Sequence, residues 1–480
     1  MEYTDPYTNV PQPILTIFGA NGNLSIQKLL PSLFALTESN HLRENCSIVC
    51  VTLEPLQKEL LMQQLEVNML RRKRECNPAV LKRLGDMITM IQMDLMNQED
   101  YQFLATTLDM LDEKNGGQTR NRLFYLAIPP SIFQDVISRL HVANLHSEKN
   151  GAATRILIEK PFGTNLESAQ KLIDFTEQHF REEQIYRIDH YLAKETAQNI
   201  LTFRTQNPLI EDIWGRQFID HIQITVSEVD DIGWRGAFYE KTGALRDIVQ
   251  SHLIQLMSLV MMEVPLEMNS KSIHSEKQAL LDAIQPMKDN QVGDLAVRGQ
   301  YDSYSIDVGN PDSRIETYAA IKLEVTNSRW GGVPVLLRTG KGLDKKVTEI
   351  HIVFKDRSRR NVHPNILTIR IQPDEGIVLQ LLAKHPGFTE ALQPVRMDFC
   401  YATAFSEKQP DAYERVLMDA MIGDQSLFAT SREVLQAWAI VEPIIRAWDG
   451  SSLKPEMYSK GSKGPHKAEA LAEEFGNEWI

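Results

Sequence analysis

Hydrophobic and polar residues follow two different patterns along this chain of 480 residues. In the first part, short apolar runs are separated by longer helical patterns. These runs cover residues 13–19, 47–53, 123–128 and 155–159. Continuous apolar runs of this length are typical of strands that are buried on both faces of a parallel sheet. Their alternation with helices predicts a Rossmann-like, doubly wound parallel sheet over residues 1–190.

The pattern changes after residue 200, where strand-like segments follow one another with few helices between them. Apolar and polar positions alternate in residues 219–228, 316–326, 333–338, 348–355, 365–372 and 376–382. Helical patterns cover residues 243–263 and 412–448. This predicts an α+β domain over residues 191–480, with a large, mostly antiparallel sheet covered by helices. We expect the polar tail from about residue 459 to be loosely attached, apart from its last aromatic residues.

Composition indicates a soluble globular protein, with 42% hydrophobic and 24% charged residues. No apolar run reaches the roughly 20 residues that span a bilayer, and no signal-peptide pattern is present. The net charge of −13 argues against a nucleic-acid partner, and the basic run Arg71–Arg74 is interpreted as a solvated helix face. The four cysteines are scattered and form no zinc-binding pattern. We therefore expect reduced thiols in a cytoplasmic protein without a metal site.

A glycine-containing turn follows the first predicted strand. Such a turn lets the backbone approach a pyrophosphate, and the N-terminus of the next helix favours its negative charge. Two glycines alone are a weak motif, and a simple strand-to-helix turn is the alternative. The position in the first βα unit favours nucleotide binding. The candidate cofactor-binding residues here are Gly19, Asn21, Gly22, Asn23 and Leu24.

Residues 187–195 combine basic groups, a phenol and a carboxylate. His190 and Lys194 are four positions apart, so on a helix they would share a face beside Tyr191. Such a face suits a small dianion, for example a phosphate monoester. Asp189 would repel that anion and is predicted to orient a base instead. The alternative is a polar helix start with an accidental charge pattern.

Several blocks resemble the glucose-6-phosphate dehydrogenase family. They are RIDHYLAKE (187–195), EKPFG (159–163), GALRDIVQSHLIQ (243–255), RTGK (338–341) and RIQPDEG (370–376). The resemblance runs in the family's order from about residue 13 to 450. It implies oxidation of glucose 6-phosphate to 6-phosphogluconolactone with NAD or NADP, the first step of the oxidative pentose phosphate pathway. It also implies a homodimer or homotetramer.

The resemblance assigns roles to individual residues. It makes His252 the general base and Asp189 the carboxylate that stabilises it, although a lone histidine on a helix is more often structural. It also implies a cis Lys160–Pro161 bond. The substrate-binding residues that it implies are Lys28, Lys160, His190, Tyr191, Lys194, Glu228, Asp247, Lys341, Lys346 and Gln372. Lys160 is also assigned to the cofactor site.

Departures from the family pattern bear on the cofactor. Leu53 stands where the family commonly has an arginine that binds the 2′-phosphate of NADP, and Glu54 follows it. A carboxylate there would repel a 2′-phosphate and could accept a hydrogen bond from a free ribose diol, which predicts a shift toward NAD. One alternative is that Glu54 is a plain surface acid, and another is that a basic group arrives from elsewhere, for example Lys58. Changed loop residues and Ser251 in place of asparagine motivate a second hypothesis, a non-catalytic sugar-phosphate-binding paralogue. A dehydrogenase of another sugar is the third, because EKP motifs occur there too.

Overall fold

The structure is a computed structural model that describes residues 7–8, 10–356, 363–388, 390–405, 409–473 and 479–480. The chain divides into two compact units. The first comprises the described residues up to Gly163, with Glu167–Ala193 and Pro410–Ser431. The second comprises the described residues of Thr164–Leu166, Lys194–Gln409 and Arg432–Ile480. A segment far along the chain thus returns to the unit that the first 190 residues build.

Strands and helices alternate up to residue 190. The strands are β1 (Ile14–Phe18), β2 (Ser47–Thr52), β3 (Ile88–Gln92), β4 (Arg122–Leu126), β5 (Thr154–Ile158) and β6 (Ile185–Ile188). The helices are α1 (Leu30–Glu38), α2 (Lys58–Arg71), α3 (Pro78–Met87), α4 (Gln98–Lys114), α5 (Phe133–Val142) and α6 (Leu166–His179). A π-helical segment, Ser25–Leu29, leads directly into α1.

The rest of the chain is richer in strands. They are β7 (Ile219–Ser227), β8 (Ala296–Tyr301), β9 (Tyr318–Glu324), β10 (Pro334–Gly340), β11 (Val347–Phe354), β12 (Ile366–Gln372), β13 (Gly376–Lys384), β14 (Leu392–Cys400), β15 (Phe428–Ala429) and β16 (Glu456–Tyr458). The helices are α7 (Glu195–Thr205), α8 (Pro208–Glu211), α9 (Gly236–Tyr239), α10 (Ile254–Met261), α11 (Ser270–Asp282), α12 (Val292–Leu295), α13 (Tyr304–Asp307), α14 (Tyr401–Ala404), α15 (Ala412–Ile422), α16 (Ser431–Asp449) and α17 (Lys467–Glu473). A second π-helical segment, Leu245–Leu253, leads into α10.

The first unit is built on a seven-stranded sheet in the order β15-β6-β5-β4-β1-β2-β3. All pairings are parallel except that of β15, which runs antiparallel to β6 at one edge. Apolar side chains cover both faces of the sheet, because alternate residues of the buried strands point to opposite sides. In a parallel sheet the carboxyl ends of the strands share one edge, so the segments that follow β1, β2, β5 and β6 lie there together.

The second unit is built on a nine-stranded sheet in the order β14-β13-β12-β11-β7-β10-β9-β8-β16. Its pairings are antiparallel except β7 with β10 and β8 with β16. The π-helical segment Leu245–Leu253 packs on β7, β9 and β10. The predicted fold class, a Rossmann-like parallel sheet followed by a large, mostly antiparallel sheet with helices, is confirmed.

Some local predictions were wrong. Residues 189–194 form turns between β6 and α7, so His190 and Lys194 do not share a helix face. The predicted helix over residues 412–448 is interrupted, because Gly423 ends α15 with a φ of 90° and β15 follows before α16 begins.

Helix α17 attaches the described part of the tail, contrary to expectation, because it buries Ala468, Leu471 and Ala472. The attachment of Trp479, one of the last aromatic residues, agrees with the expectation. The indole Nε1 of Trp479 donates a hydrogen bond of 2.6 Å to the Ala468 carbonyl. Residues 474–478 of this tail lie outside the described residues.

None of the helices in the described part of the chain has the length and apolarity needed to cross a bilayer.

Candidate active site

The glycine turn after β1 is tight. Gly19 has a φ of 80°, and a Cβ at this position would lie 2.5 Å from the Ala127 carbonyl oxygen, so only glycine fits. The Gly19 and Ala20 amides both donate to the Val51 carbonyl, at 3.1 and 3.0 Å, and the Gly22 amide donates to Gly19. The turn therefore connects the end of β1 directly to the π-helical segment Ser25–Leu29. This geometry fits a nucleotide pyrophosphate at the helix N-terminus.

The side chains of this turn differ in their exposure to solvent. Asn21 and Asn23 are exposed, whereas Leu24 is half-buried. The Nε2 of Gln27 donates to Oδ1 of Asn23 at 2.5 Å, and Nη2 of Arg72 donates to Oε1 of Gln27 at 3.3 Å. The basic run that was interpreted as a solvated helix face thus reaches the glycine turn through Gln27, a proximity that the sequence pattern did not indicate.

The segment after β2 carries no cation. Leu53 is 62% exposed and Glu54 is exposed, while the hydroxyl of Thr52 donates to the Glu54 carbonyl at 2.8 Å. Because β2 is the direct neighbour of β1, Leu53 and Glu54 lie near the glycine turn at the carboxyl edge of the sheet. The surface there is acidic and apolar.

A polar pair lies at the carboxyl ends of β4 and β5, where Tyr125 is the fourth residue of β4 and Glu159 follows β5 directly. The hydroxyl of Tyr125 donates to Oε1 of Glu159 at 2.5 Å, and Tyr413 on α15 also bonds to Glu159. Burial raises the pKa of Glu159 to about 7, and the charge of Asp189 acts in the same direction. Hydrogen bonds from the tyrosines and the charge of Lys160 oppose this shift. A carboxyl that holds a proton near neutral pH is a frequent property of active sites.

The turn after β6 carries Asp189, His190 and Tyr191. Asp189 is 5% exposed, and its Oδ1 accepts a hydrogen bond of 2.9 Å from the Tyr191 amide. The His190 ring lies 4.9 Å from the Tyr191 ring and stacks at 6.4 Å on the Tyr413 ring. The Nζ of Lys28 lies 5.6 Å from the centroid of that same ring.

Tyr413 therefore brings the predicted site residues Lys28 and His190 together. Sequence reasoning missed Tyr413 and Glu159 as site residues, although Glu159 lies in the EKPFG block that resembles the family. Lys194 belongs to the second unit, where it is half-buried and immediately precedes α7.

In the second unit, Lys341 forms an ion pair with Glu228, and its Nζ lies 5.5 Å from the centroid of the Tyr239 ring. The backbone of Lys341 is fixed on both sides. Its amide donates to the Thr317 carbonyl at 2.9 Å, and its carbonyl accepts from the hydroxyl of Tyr458 at 2.7 Å. The lysine is thus held at the end of β10 opposite a carboxylate at the end of β7.

The π-helical segment Leu245–Leu253 carries Asp247 and His252, which are 8% and 0% exposed. Glu316 holds its start, because Oε1 of this buried carboxyl accepts a hydrogen bond of 3.0 Å from the Leu245 amide. Burial raises the pKa of Glu316, while this amide hydrogen bond opposes the shift. π-Helices are rare and frequently lie at functional sites.

Lys346 and Gln372, two other residues predicted to bind substrate, have side-chain partners that are not among the predicted site residues. Lys346 is exposed, and its Nζ is 3.7 Å from Oδ2 of Asp230. The Nε2 of Gln372 donates to the Thr348 hydroxyl at 3.1 Å. The Lys160–Pro161 bond is cis, as the resemblance implied, and Gln372–Pro373 is cis as well.

Comparison with known proteins places the chain. A family model described as "Glucose-6-phosphate dehydrogenase, NAD binding domain" matches residues 16–199, and one described as "Glucose-6-phosphate dehydrogenase, C-terminal domain" matches residues 201–480. The chain belongs to the glucose-6-phosphate dehydrogenase family. The resemblance found in the sequence blocks is therefore confirmed.

Relatives in this family match along nearly their whole length. The glucose-6-phosphate 1-dehydrogenase of Chlamydia muridarum is 39% identical, with 98% of this chain and 97% of that protein covered. That of Bacillus subtilis is 37% identical, with 98% of each covered. A solved glucose-6-phosphate dehydrogenase in complex with its substrate glucose 6-phosphate superposes with a TM-score of 0.91 at 30% identity, covering 98% of this chain and all of the other.

Proposed function

We propose that this protein oxidises glucose 6-phosphate to 6-phosphogluconolactone, passing a hydride to a nicotinamide nucleotide. The observation that carries the proposal is the family match over both units together with the glycine turn, where a Cβ on Gly19 would collide with the Ala127 carbonyl. We further propose that it works in the cytoplasm as a homodimer or homotetramer, as the family resemblance implies.

His252 is the proposed general base. As the hydride leaves C1 of the sugar with two electrons, the C1 hydroxyl proton passes to the imidazole, and the C1–O bond becomes the lactone carbonyl. The nicotinamide nucleotide, when bound, accepts the hydride. Asp189 is proposed to stabilise the imidazolium and to fix the imidazole tautomer. The π-helical segment and its Glu316 cap support this role, because they hold His252 on a rigid, buried element.

The sugar phosphate is proposed to bind His190, Tyr191 and Lys194. A phosphate monoester carries about −1.5 to −2 charges at neutral pH, so cationic and hydroxyl donors suit it. We propose that Lys28, Lys160, Asp247, Lys341, Lys346 and Gln372 complete the substrate contacts, together with Glu228. Tyr413, which lies against both Lys28 and His190, supports a shared site for the residues of the first unit.

For the cofactor we propose a preference for NAD over NADP. Neither Leu53 nor Glu54 supplies a cation at the ribose end of the site, and the Glu54 carboxylate repels a 2′-phosphate. Arg72, which reaches Asn23 through Gln27, is the basic group that would reduce this preference. The cofactor contacts proposed are Gly19, Asn21, Gly22, Asn23, Leu24, Glu54 and Lys160.

The test is reduction of the nicotinamide, followed by absorbance at 340 nm, with glucose 6-phosphate or glucose and with NAD or NADP. We expect turnover with the phosphorylated sugar and a higher kcat/KM with NAD. The His252→Asn variant should lower kcat by about 10²–10⁴-fold, because general-base assistance is lost. Stabilisation of this variant by glucose 6-phosphate against thermal unfolding should persist.

The same assay separates the rivals. Equal turnover of unphosphorylated glucose would favour a dehydrogenase of another sugar. Binding of glucose 6-phosphate without turnover would favour the non-catalytic paralogue. Near-normal turnover by His252→Asn would refute its role as base, and a strong preference for NADP would refute the role given to Leu53 and Glu54.

A further inference from the structure

The turn that carries Lys341 depends on partners from a distant part of the chain. This turn, residues 341–344, is called the lysine turn; it follows β10 directly and bends at Gly342, which has a φ of 63°. Its first three residues are buried. Because the turn has left the strand ladder, its buried N–H and C=O groups need hydrogen-bond partners from other segments.

Residues 458–462, called the clasp segment, supply partners on one side of the lysine turn. Three hydrogen bonds join the two segments: from the Tyr458 hydroxyl to the Lys341 carbonyl at 2.7 Å, from the Gly461 amide to the Gly342 carbonyl at 2.7 Å, and from the Asp344 amide to the Ser462 carbonyl at 3.0 Å. The start of the clasp segment is itself fixed, because Tyr458 ends β16 and pairs with Tyr301 on β8. The second sheet therefore supports the lysine turn through this segment.

The other side of the lysine turn is held by residues 228–231, which follow β7. The amides of Gly342 and Leu343 donate to the carbonyls of Asp230 and Glu228, at 3.1 and 2.9 Å. Lys460 connects this segment to the clasp segment, because its Nζ lies 2.8 Å from Oδ2 of Asp231. The position of the lysine turn thus depends on both segments.

The Tyr458 hydroxyl is suited to hold the Lys341 carbonyl. Burial raises the pKa of Tyr458 well above its ordinary value, so the group remains a donor at physiological pH. Its single proton has two carbonyl acceptors, of which Lys341 at 2.7 Å is closer than Thr317 at 3.3 Å. Because Lys341 takes that proton, the Thr317 hydroxyl, 2.8 Å away, is the donor in its own contact with Tyr458.

We propose that Tyr458 is a positioning residue for substrate binding, which sets the place of the Lys341 ammonium by holding the carbonyl of the same lysine. This inference rests on the proposed function, in which Lys341 contacts the sugar phosphate. Without the Tyr458 hydroxyl, the buried Lys341 carbonyl loses its donor, which is costly unless the turn shifts to find another. Such a shift moves the ammonium from its place opposite Glu228 and weakens substrate binding.

The matched pair Tyr458→Phe and Tyr304→Phe tests this. Both changes remove one hydroxyl from a buried ring of the same apolar cluster, but the Tyr304 hydroxyl donates to Glu240, at 2.8 Å. Tyr458→Phe should raise KM for glucose 6-phosphate, and the dissociation constant measured by calorimetry, by about three- to tenfold, with kcat within about twofold. Tyr304→Phe should leave these constants unchanged, although it should lower the unfolding temperature.

A double-mutant cycle with Lys341→Met separates positioning from a general loosening of the unit. If Tyr458 acts through Lys341, Tyr458→Phe should change the dissociation constant by less than about twofold once residue 341 is methionine. Lys460→Met is a second test at a partly exposed position. It removes the ion pairs with Asp231 and Asp307 and should raise the dissociation constant about two- to threefold, an effect that Lys341→Met should also abolish.

Each alternative result is decisive. An unchanged dissociation constant in Tyr458→Phe would overturn the proposal. An equal rise in the Lys341→Met background would also overturn it, because it would indicate a purely structural hydroxyl. If Tyr458→Phe does not fold, an unchanged dissociation constant in Lys460→Met overturns the proposal instead. If the wild-type protein binds glucose 6-phosphate without turnover, the proposed function fails, and the dissociation constants then test Tyr458 on their own. Absence of binding in the wild type would overturn both.

Discussion

Glu159 offers a sharp test of the charges at the sheet edge, through the substitution Glu159→Gln. The amide keeps an oxygen that can accept the hydrogen bond from Tyr125, which is 2.5 Å long in the wild-type protein. It removes the ionisation. We expect Glu159→Gln to stabilise the protein above pH 7 and to have little effect near pH 4.5.

The sign follows from the raised pKa. Burial raises the pKa of Glu159 from 4.5 to about 7, so between these pH values the folded state holds a proton that the unfolded state has released. Wild-type stability therefore falls as the pH rises from about 4.5 to about 7 and then levels off. At about 1.4 kcal/mol for each factor of ten, the full effect is about 3 kcal/mol. Because Glu159 is half-buried, we expect a measured gain of about 1–3 kcal/mol at pH 8.

The measurement must report on the first unit. All six tryptophans lie outside it, so tryptophan fluorescence would follow the second unit instead. Urea unfolding by circular dichroism, with hydrogen exchange of the β4 and β5 amides, at pH 5 and pH 8 is suitable. Tyr125→Phe is the control, since it removes the donor and keeps the carboxyl. Stability curves of wild type and Glu159→Gln that stay parallel across this pH range would refute the reasoning.

Two further predictions concern other charges. Lys277 and Glu433 form a fully buried ion pair of 2.7 Å in the second unit, and Nδ1 of His274 also lies 2.7 Å from Glu433. Because His274 stays as a partner, Lys277→Met should destabilise that unit by about 3 kcal/mol, the lower end of the range for a broken buried pair, and adding Glu433→Leu should restore part of the loss. Urea unfolding followed by tryptophan fluorescence measures both, since all six tryptophans, including Trp438 on the same helix as Glu433, lie in the second unit. A Lys277→Met effect below about 1 kcal/mol would contradict the prediction. For the cofactor, Leu53→Arg combined with Glu54→Ser should raise the NADP-to-NAD ratio of kcat/KM by about 10–100-fold, since a charge-assisted bond to the 2′-phosphate is gained and a repulsive charge is lost. An unchanged ratio would show that the 2′-phosphate lies elsewhere.

The strands that were predicted from the sequence share one property: the pattern of their apolar residues matches the faces that they bury. β1 and β4 are wholly buried and apolar runs predicted them, while the alternating pattern of β12 revealed a strand with one buried face. β6 was missed because it is short and contains Arg187, whose charge is neutralised by Glu182 at 2.8 Å. β14 was missed because seven of its nine residues are exposed, so no apolar pattern marks it.

The turn at residues 189–194 could not be told from a helix by spacing alone. A separation of four places His190 and Lys194 on one helical face only if the segment is helical. It is not, because β6 ends at Ile188 and the chain turns before α7 begins at Glu195. Tyr413 was missed for a different reason. Its importance depends on the return of residues 410–431 to the first unit, a long-range contact that no local pattern reports.

The places where local rules fail coincide with the proposed chemistry. Both π-helical segments follow a glycine with positive φ, Gly19 or Gly243, and carry proposed site residues, Lys28 in one and His252 in the other. Burial raises the pKa of the Glu159 carboxyl to about 7. An ordinary α-helix or a paired surface carboxylate would be more stable at these positions. Natural sequences depart from such local preferences mainly where function requires it, so these departures support the site residues proposed in each unit on grounds other than the family resemblance.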